Sequence, residues 1–199
     1  MGNYIPPMQR MIDCFRRLPG VGSKSAVRMA FGVLSMSQEE ANEFCNAIVG
    51  MKQGITHCRV CRNLSDSEIC SICSDERRDA SVICVVEDTR TLMAIERTND
   101  YTGLYHVLGG AISPVNGITP DMLEIQTLIS RLGDDCVKEI IIATNPNIEG
   151  ETTAIYLSKL IKPLDIKVTR LAYGVSVGSD LEYTDGETLA KAISGRQEI

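Results

Sequence analysis

The sequence predicts an α/β fold that carries a helical head and a small cysteine-rich insert, and three observations predict it. From residue 80 onward, short apolar runs such as "SVICVV" and "KEIIIAT" alternate with helix-like segments, the layout of βαβ crossovers in a parallel sheet. Residues 8–52 instead repeat apolar side chains at helical spacing. Between them lie Cys58, Cys61, Cys70 and Cys73 in a polar stretch that cannot hold itself together by burial. The chain has 199 residues, 44% of them hydrophobic, with no Trp and three Phe, so its core must be aliphatic. The expected divisions are 1–54 (helical), 55–79 (cysteine-rich), 80–172 (α/β) and 173–199 (C-terminal segment).

In the head, Met8, Met11, Ile12 and Phe15 sit at i, i+3, i+4 and i+7, one face of a first helix. Ala26, Val27, Ala30, Phe31 and Leu34 repeat the pattern in a second. Ser37 and Glu40 form a capping-box signature for a third, whose stripe is Ala41, Phe44, Cys45 and Ile48.

The insert reads C-x2-C-x8-C-x2-C. Two such knuckles offer four soft ligands at tetrahedral geometry, the donor set of a structural Zn²⁺. Protein fills all four positions, so the metal folds the loop and has no open site for chemistry. His57 flanks the first knuckle and is expected to pack beside it rather than ligate. Cys14, Cys45, Cys84 and Cys136 read as small core residues.

In the α/β part, strands are expected at 81–86, 103–108, 138–144 and 166–172. Helices are expected near Asp88–Arg97, from Thr119-Pro120 to Arg131-Leu132, and over Gly150–Ile161, with Asp88 and Thr119 as N-caps and Gly133 as a stop. No run of about 18 apolar residues suggests a membrane span, and the first residues do not read as a secretory signal, so a cytoplasmic protein is expected.

Net charge is −6, but residues 1–34 hold Arg10, Arg16, Arg17, Lys24 and Arg28 against Asp13 alone. That segment carries +4 and the rest −10, a basic head on an acidic body. Within the head, "LPGVGSKS" does not make a P-loop: Ser23 precedes Lys24 where Gly is needed, and a helix rather than a strand comes before it. Helix, Leu-Pro-Gly-Val-Gly, helix is the layout of a helix-hairpin-helix, in which free amides of the second helix face a nucleic-acid phosphate without reading base sequence. Lys24 and Arg28, four apart, share a face roughly 90–130° from the centre of the apolar stripe.

"VICVVEDTR" ends a strand at Glu87-Asp88, and "IIIATNPNIEGE" ends another at Asn145. Ligand sites of doubly wound sheets gather at such strand ends. A glutamate on the first strand with paired aspartates on another would bind Mg²⁺ for phosphodiester chemistry. Here Asn145 and Asn147 stand where carboxylates are wanted, and Glu149 is the nearest acid. Glu87 and Glu149 either hold one weakly bound cation or are exposed carboxylates at an acidic partner surface.

Taken in order, "LPGVGSKSAVRMAF", "CRVC" and "CSIC", "ICVVEDTR", "GLYHVLGGAISPVNGI", "ATNPNIEGE" and "VTRLAYGVSVGSDLEYTDGETL" closely resemble the RecR family of bacterial recombination mediators, over essentially the whole chain. The resemblance implies a Toprim domain from about residue 80 with a degenerate acidic pair and no strong enzymatic activity. It implies dimers and ring-like tetramers with a hole wide enough for duplex DNA. It also implies work with RecO and RecF in loading RecA onto single-stranded DNA. The family's DNA-contacting positions fall on Lys24 and Arg28, and its RecO-facing acidic surface falls around Glu87, Asp88 and Glu149. Lys167 to Asp180 match the family's Walker B-like segment loosely and read as an assembly strand. Ser23 and Val175-Ser176 stand where the family commonly has Pro and Leu/Ile-Pro. The competing function is a Toprim metal-dependent nuclease or strand-transfer enzyme.

Overall fold

A computed structural model of the chain describes residues 4–133, 136–196 and 198. Contacts divide it into two compact units, one ending at Ile55 and one beginning at Thr56.

The first unit contains helices α1 (Pro6–Arg16), α2 (Ser23–Leu34) and α3 (Gln38–Gly54). Ile12 and Phe15 of α1 close on Ala26 and Ala30 of α2, with Met8, Met11, Val21, Val27 and Val33 around them. The two alanines let the helix backbones approach. Gly20 adopts a φ of +78°, which turns the chain between α1 and α2 at little steric cost. Helix α3 starts in the expected capping box, with Ser37 Oγ accepting from Glu40 N and the Glu40 carboxylate accepting from Ser37 N. Its stripe behaves differently from expectation: α3 buries no residue, and Phe44 and Ile48 are exposed, as are Phe31 and Leu34 of α2. Periodicity reported that these faces are apolar; among the described residues of this unit they stay largely open, although the Tyr4 ring stands edge-on to Phe31 at 6.3 Å.

The second unit opens with a two-stranded antiparallel ribbon, β1 (Thr56–His57) and β2 (Leu64–Ser65), that frames the first cysteine pair. It continues with β3 (Asp79–Val86), α4 (Thr89–Glu96), β4 (Gly103–Val107), α5 (Ile125–Arg131), β5 (Glu139–Ala143), α6 (Ile148–Ile161), β6 (Lys167–Arg170) and α7 (Gly186–Ser194). Strands β3 to β6 form a parallel sheet in the order β4-β3-β5-β6. Central β3 is buried on both faces. Ile83 and Val85 meet Ile140, Ile142, Leu128 and Leu157 on one side. Cys84 and Val86 meet Leu92, Tyr105, Val107 and Ala143 on the other.

Three expectations differ from what forms here. The segment from Thr119 does not run as one helix: a 3-10 turn at Pro120–Met122 gives way to extended Leu123, and α5 starts afresh. The break lets Leu123 enter the core, while Glu124 N–H donates to Leu108 C=O at 2.9 Å. Tertiary pairing overrides the local helix signal. Of the four cysteines read as core residues only Cys84 is buried; Cys14, Cys45 and Cys136 are exposed. Helix α6 also begins two residues before its expected start, because Asn147 Oδ1 accepts from Gly150 N and caps it.

Candidate nucleic-acid interface, metal centre and acidic edge

The N-terminus of α2 is capped by Gly22, which has no side chain to offer the helix. The first-turn amides are therefore left without a side-chain acceptor, an arrangement that suits an external anion. Lys24 and Arg28 are both exposed on α2, while Ala26 between them faces inward. The neighbouring Arg10, Arg16 and Arg17 are exposed too, and only a loose 3.7 Å contact links Arg16 to Asp13. The first unit thus presents open amides at the start of α2 and exposed cations around it.

The four cysteines of the insert converge, with all ligand atoms within 4.8 Å of one another. Tetrahedral Zn²⁺ with Zn–S bonds of about 2.3 Å would set its sulfurs about 3.8 Å apart, and Cys61 Sγ and Cys70 Sγ lie at 3.5 Å. Cys58, Cys61 and Cys70 are buried, and Cys70 N–H donates to Cys58 Sγ at 3.3 Å, a contact that suits a thiolate. Without a cation the group cannot ionise together. Hydrogen bonding from Cys73 pulls Cys61 down to about 5, while burial pushes Cys70 up to about 11. The donor set fits a structural zinc, held by Cys58, Cys61, Cys70 and Cys73. Among the described residues this is the one group of three or more His, Cys, Asp or Glu side chains with convergent donor atoms. His57 stays exposed and turned away from that role, its Nδ1 bonded to Arg62 C=O at 3.0 Å.

The knuckles are welded to the sheet rather than hung from it. Val107 N–H donates to Cys61 C=O at 2.8 Å, and Ile72 packs into the core face of β3 and β4. Arg62, in the left-handed region at φ +63°, reaches Glu124 at 2.7 Å. Beneath that pair, His106 is fully buried: its Nε2 lies 2.8 Å from Glu124 C=O and its Nδ1 lies 3.2 Å from Arg131 Nη1. Arg131 can only donate, so Nδ1 accepts and Nε2–H donates. Burial and the Arg131 charge lower His106 to about 4 and keep it neutral. Sequence reasoning passed over Arg62, His106, Glu124 and Arg131, because no local pattern links residues this far apart.

The carboxyl ends of β3 and β5 meet where the strand order reverses, the switch point of the sheet. Glu87 follows β3 and Asn145 follows β5. Asn145 N donates to Glu87 Oε1 at 2.8 Å and Asn145 Nδ2 donates to Oε2 at 2.5 Å. Asp88 caps α4 by accepting from Thr91 N at 2.8 Å and pairs with Arg90 at 2.7 Å. Hydrogen bonds from Thr91 and Arg90 outweigh partial burial and hold Asp88 below the usual carboxylate range. Glu149 lies half-exposed in the first turn of α6. The three acids named from sequence thus belong to the same strand-end region, but Glu87 and Asp88 are each engaged by donors of the chain itself.

Comparison with known proteins follows this architecture closely. A model described as RecR, helix-hairpin-helix matches residues 8–52, and one described as the RecR four-cysteine zinc finger domain matches 55–75. A Toprim domain model matches 81–172, and RecR, C-terminal matches 174–197. "Recombination protein RecR" of Staphylococcus haemolyticus is 52% identical over 197 residues, covering 99% of this chain and 100% of that protein. The chain belongs to the RecR family. The helical unit is thus the family's helix-hairpin-helix, the four cysteines its zinc finger, and the parallel sheet its Toprim domain.

Proposed function

We propose that the protein is a cytoplasmic, non-enzymatic DNA clamp. In this reading it forms dimeric or tetrameric rings on double- and single-stranded DNA and, with RecO and RecF, helps load RecA at gaps during repair. Lys24, Arg28 and the open amides of α2 contact the DNA backbone. Glu87, Asp88 and Glu149 form the surface that meets RecO, and zinc is structural. The observation that carries the reading is the glycine-capped start of α2 beside exposed Lys24 and Arg28. The exposed apolar faces of α2 and α3 support an assembly of several copies, which would gather basic heads around a polyanion that the acidic bodies repel. Beside Glu87 stands the amide of Asn145, where the nuclease alternative needs a further carboxylate to hold its cation, and this argues against that alternative.

The test is fluorescence anisotropy with labelled duplex and single-stranded DNA over a salt series. Wild type should lose affinity steeply with salt. A Lys24→Ala, Arg28→Ala variant should bind weakly, with its log–log salt slope lower by about 2 for each protomer in contact, while its circular dichroism stays unchanged. Wild-type affinity and slope in a folded double variant would remove these residues from the interface.

A further inference from the structure

At the switch point of the sheet, both oxygens of one carboxylate accept hydrogen bonds from a single residue. We propose that Asn145 takes the place of a divalent cation at this strand end, fixing Glu87 by an amide fork so that the acidic edge keeps its shape without metal. A carboxylate presents two acceptor oxygens in a plane, and Asn145 meets both, with its backbone N–H at 2.8 Å and its side-chain Nδ2 at 2.5 Å. Each Glu87 oxygen keeps a second lone pair, so what disfavours a cation such as Mg²⁺ is its neighbour: a neutral amide stands where a second carboxylate is needed to hold the charge.

Asn145 can do this because its backbone is locked. A Cβ on Gly150 would overlap the Asn145 carbonyl oxygen, so the first turn of α6 lies directly against it. Thr144 Oγ donates to Gly150 C=O at 2.8 Å and closes the same turn. The nearby Asn147 acts elsewhere, since its side chain caps α6 and does not turn to Glu87. The two asparagines that replace acids in the sequence are therefore not equivalent. Asn145 is the positioning residue for Glu87, and Asn147 is a helix cap.

The inference builds on the reading of this edge as a docking surface, but the two fail separately. Loss of RecO binding in Glu87→Ala speaks to what docks; cation response speaks to what holds the edge. Asn145→Asp is nearly isosteric and would put two carboxylates in contact, a pair that calls for a cation between them. The experiment follows the thermal midpoint of the zinc-loaded full chain in cation-depleted buffer, and with Mg²⁺ or Mn²⁺ at matched ionic strength. Wild type should show no saturable response. Asn145→Asp should melt lower and regain roughly 5 °C or more as the cation saturates. Asn145→Ala should melt lower and stay unresponsive. The exchanged pair, Glu87→Gln with Asn145→Asp, restores one charge facing one amide, and should be cation-indifferent and more stable than Asn145→Asp alone. A saturable wild-type response, or a folded Asn145→Asp that ignores both cations, overturns the proposal. Should Asn145→Asp not fold at all, the exchanged pair decides: folded and indifferent supports the amide fork, unfolded or cation-dependent refutes it.

Discussion

Burial of His106 makes the stability of the second unit depend on pH in a defined window. The ring is fully enclosed, with Glu124 C=O on one nitrogen and the Arg131 guanidinium on the other. Protonation would set a donor and a positive charge against Arg131. Its folded value is therefore lowered from 6.5 to about 4. Between those limits the unfolded chain binds the proton and the folded chain does not, so stability is complete above about pH 6.5 and falls as pH drops toward 4. At about 1.4 kcal/mol per pH decade, the loss is about 2 kcal/mol by pH 5 and about 3 kcal/mol by pH 4. For a chain of this size the first figure corresponds to roughly 4–8 °C in the thermal midpoint. The assay is thermal unfolding of wild type and His106→Gln from pH 7.5 to 5. Glutamine keeps a donor and an acceptor but cannot titrate. Wild type should show the slope and the variant should lose most of it. Glu124 and Glu96 have lowered values and so lose their contributions at more acidic pH than ordinary carboxylates. Equal slopes in the two proteins would refute the neutral, trapped imidazole.

Zinc removal should reach the sheet: stripping the metal with a chelator should speed hydrogen exchange at Val107 N–H by roughly tenfold, the equivalent of about one lost hydrogen bond. The remote Ile140 amide serves as the internal reference, and equal change at both sites would mean global unfolding. Gly150→Ala should destabilise by about 1–3 kcal/mol in chemical denaturation, because the new methyl meets the Asn145 backbone. Gly32→Ala, where a Cβ meets nothing within 4 Å, should instead stabilise α2 by up to about 1 kcal/mol.

What the sequence made legible was what local chemistry determines. The runs of β3 and β5 read as strands because they are short and apolar without a break, and in the fold each run feeds two clusters. The cysteine spacing set the metal centre, and Ser37 with Glu40 set the start of α3. What stayed hidden depends on distant partners. Glu87 and Asn145 stand 58 positions apart, and only the strand order brings them together. Leu123 leaves the helical path because the Leu108 carbonyl beyond β4 is paired by Glu124 and the core needs the side chain. The stripe of α3 was seen, but amphipathicity says that a face wants cover without saying what supplies it. A lone cysteine carries even less, as the exposure of Cys14, Cys45 and Cys136 illustrates.

The interior of the first unit rests on Ile12, Phe15 and two alanines, while Phe44 and Ile48 stand in solvent. So slight a kernel leaves little margin against unfolding when nothing shields it. In the assembly proposed above, dilution would then cost a solitary subunit more than its companions, making it the first substrate for proteolysis. Surplus copies would be pruned by their own incompleteness, and the amount of protein would track the amount that has found its mates.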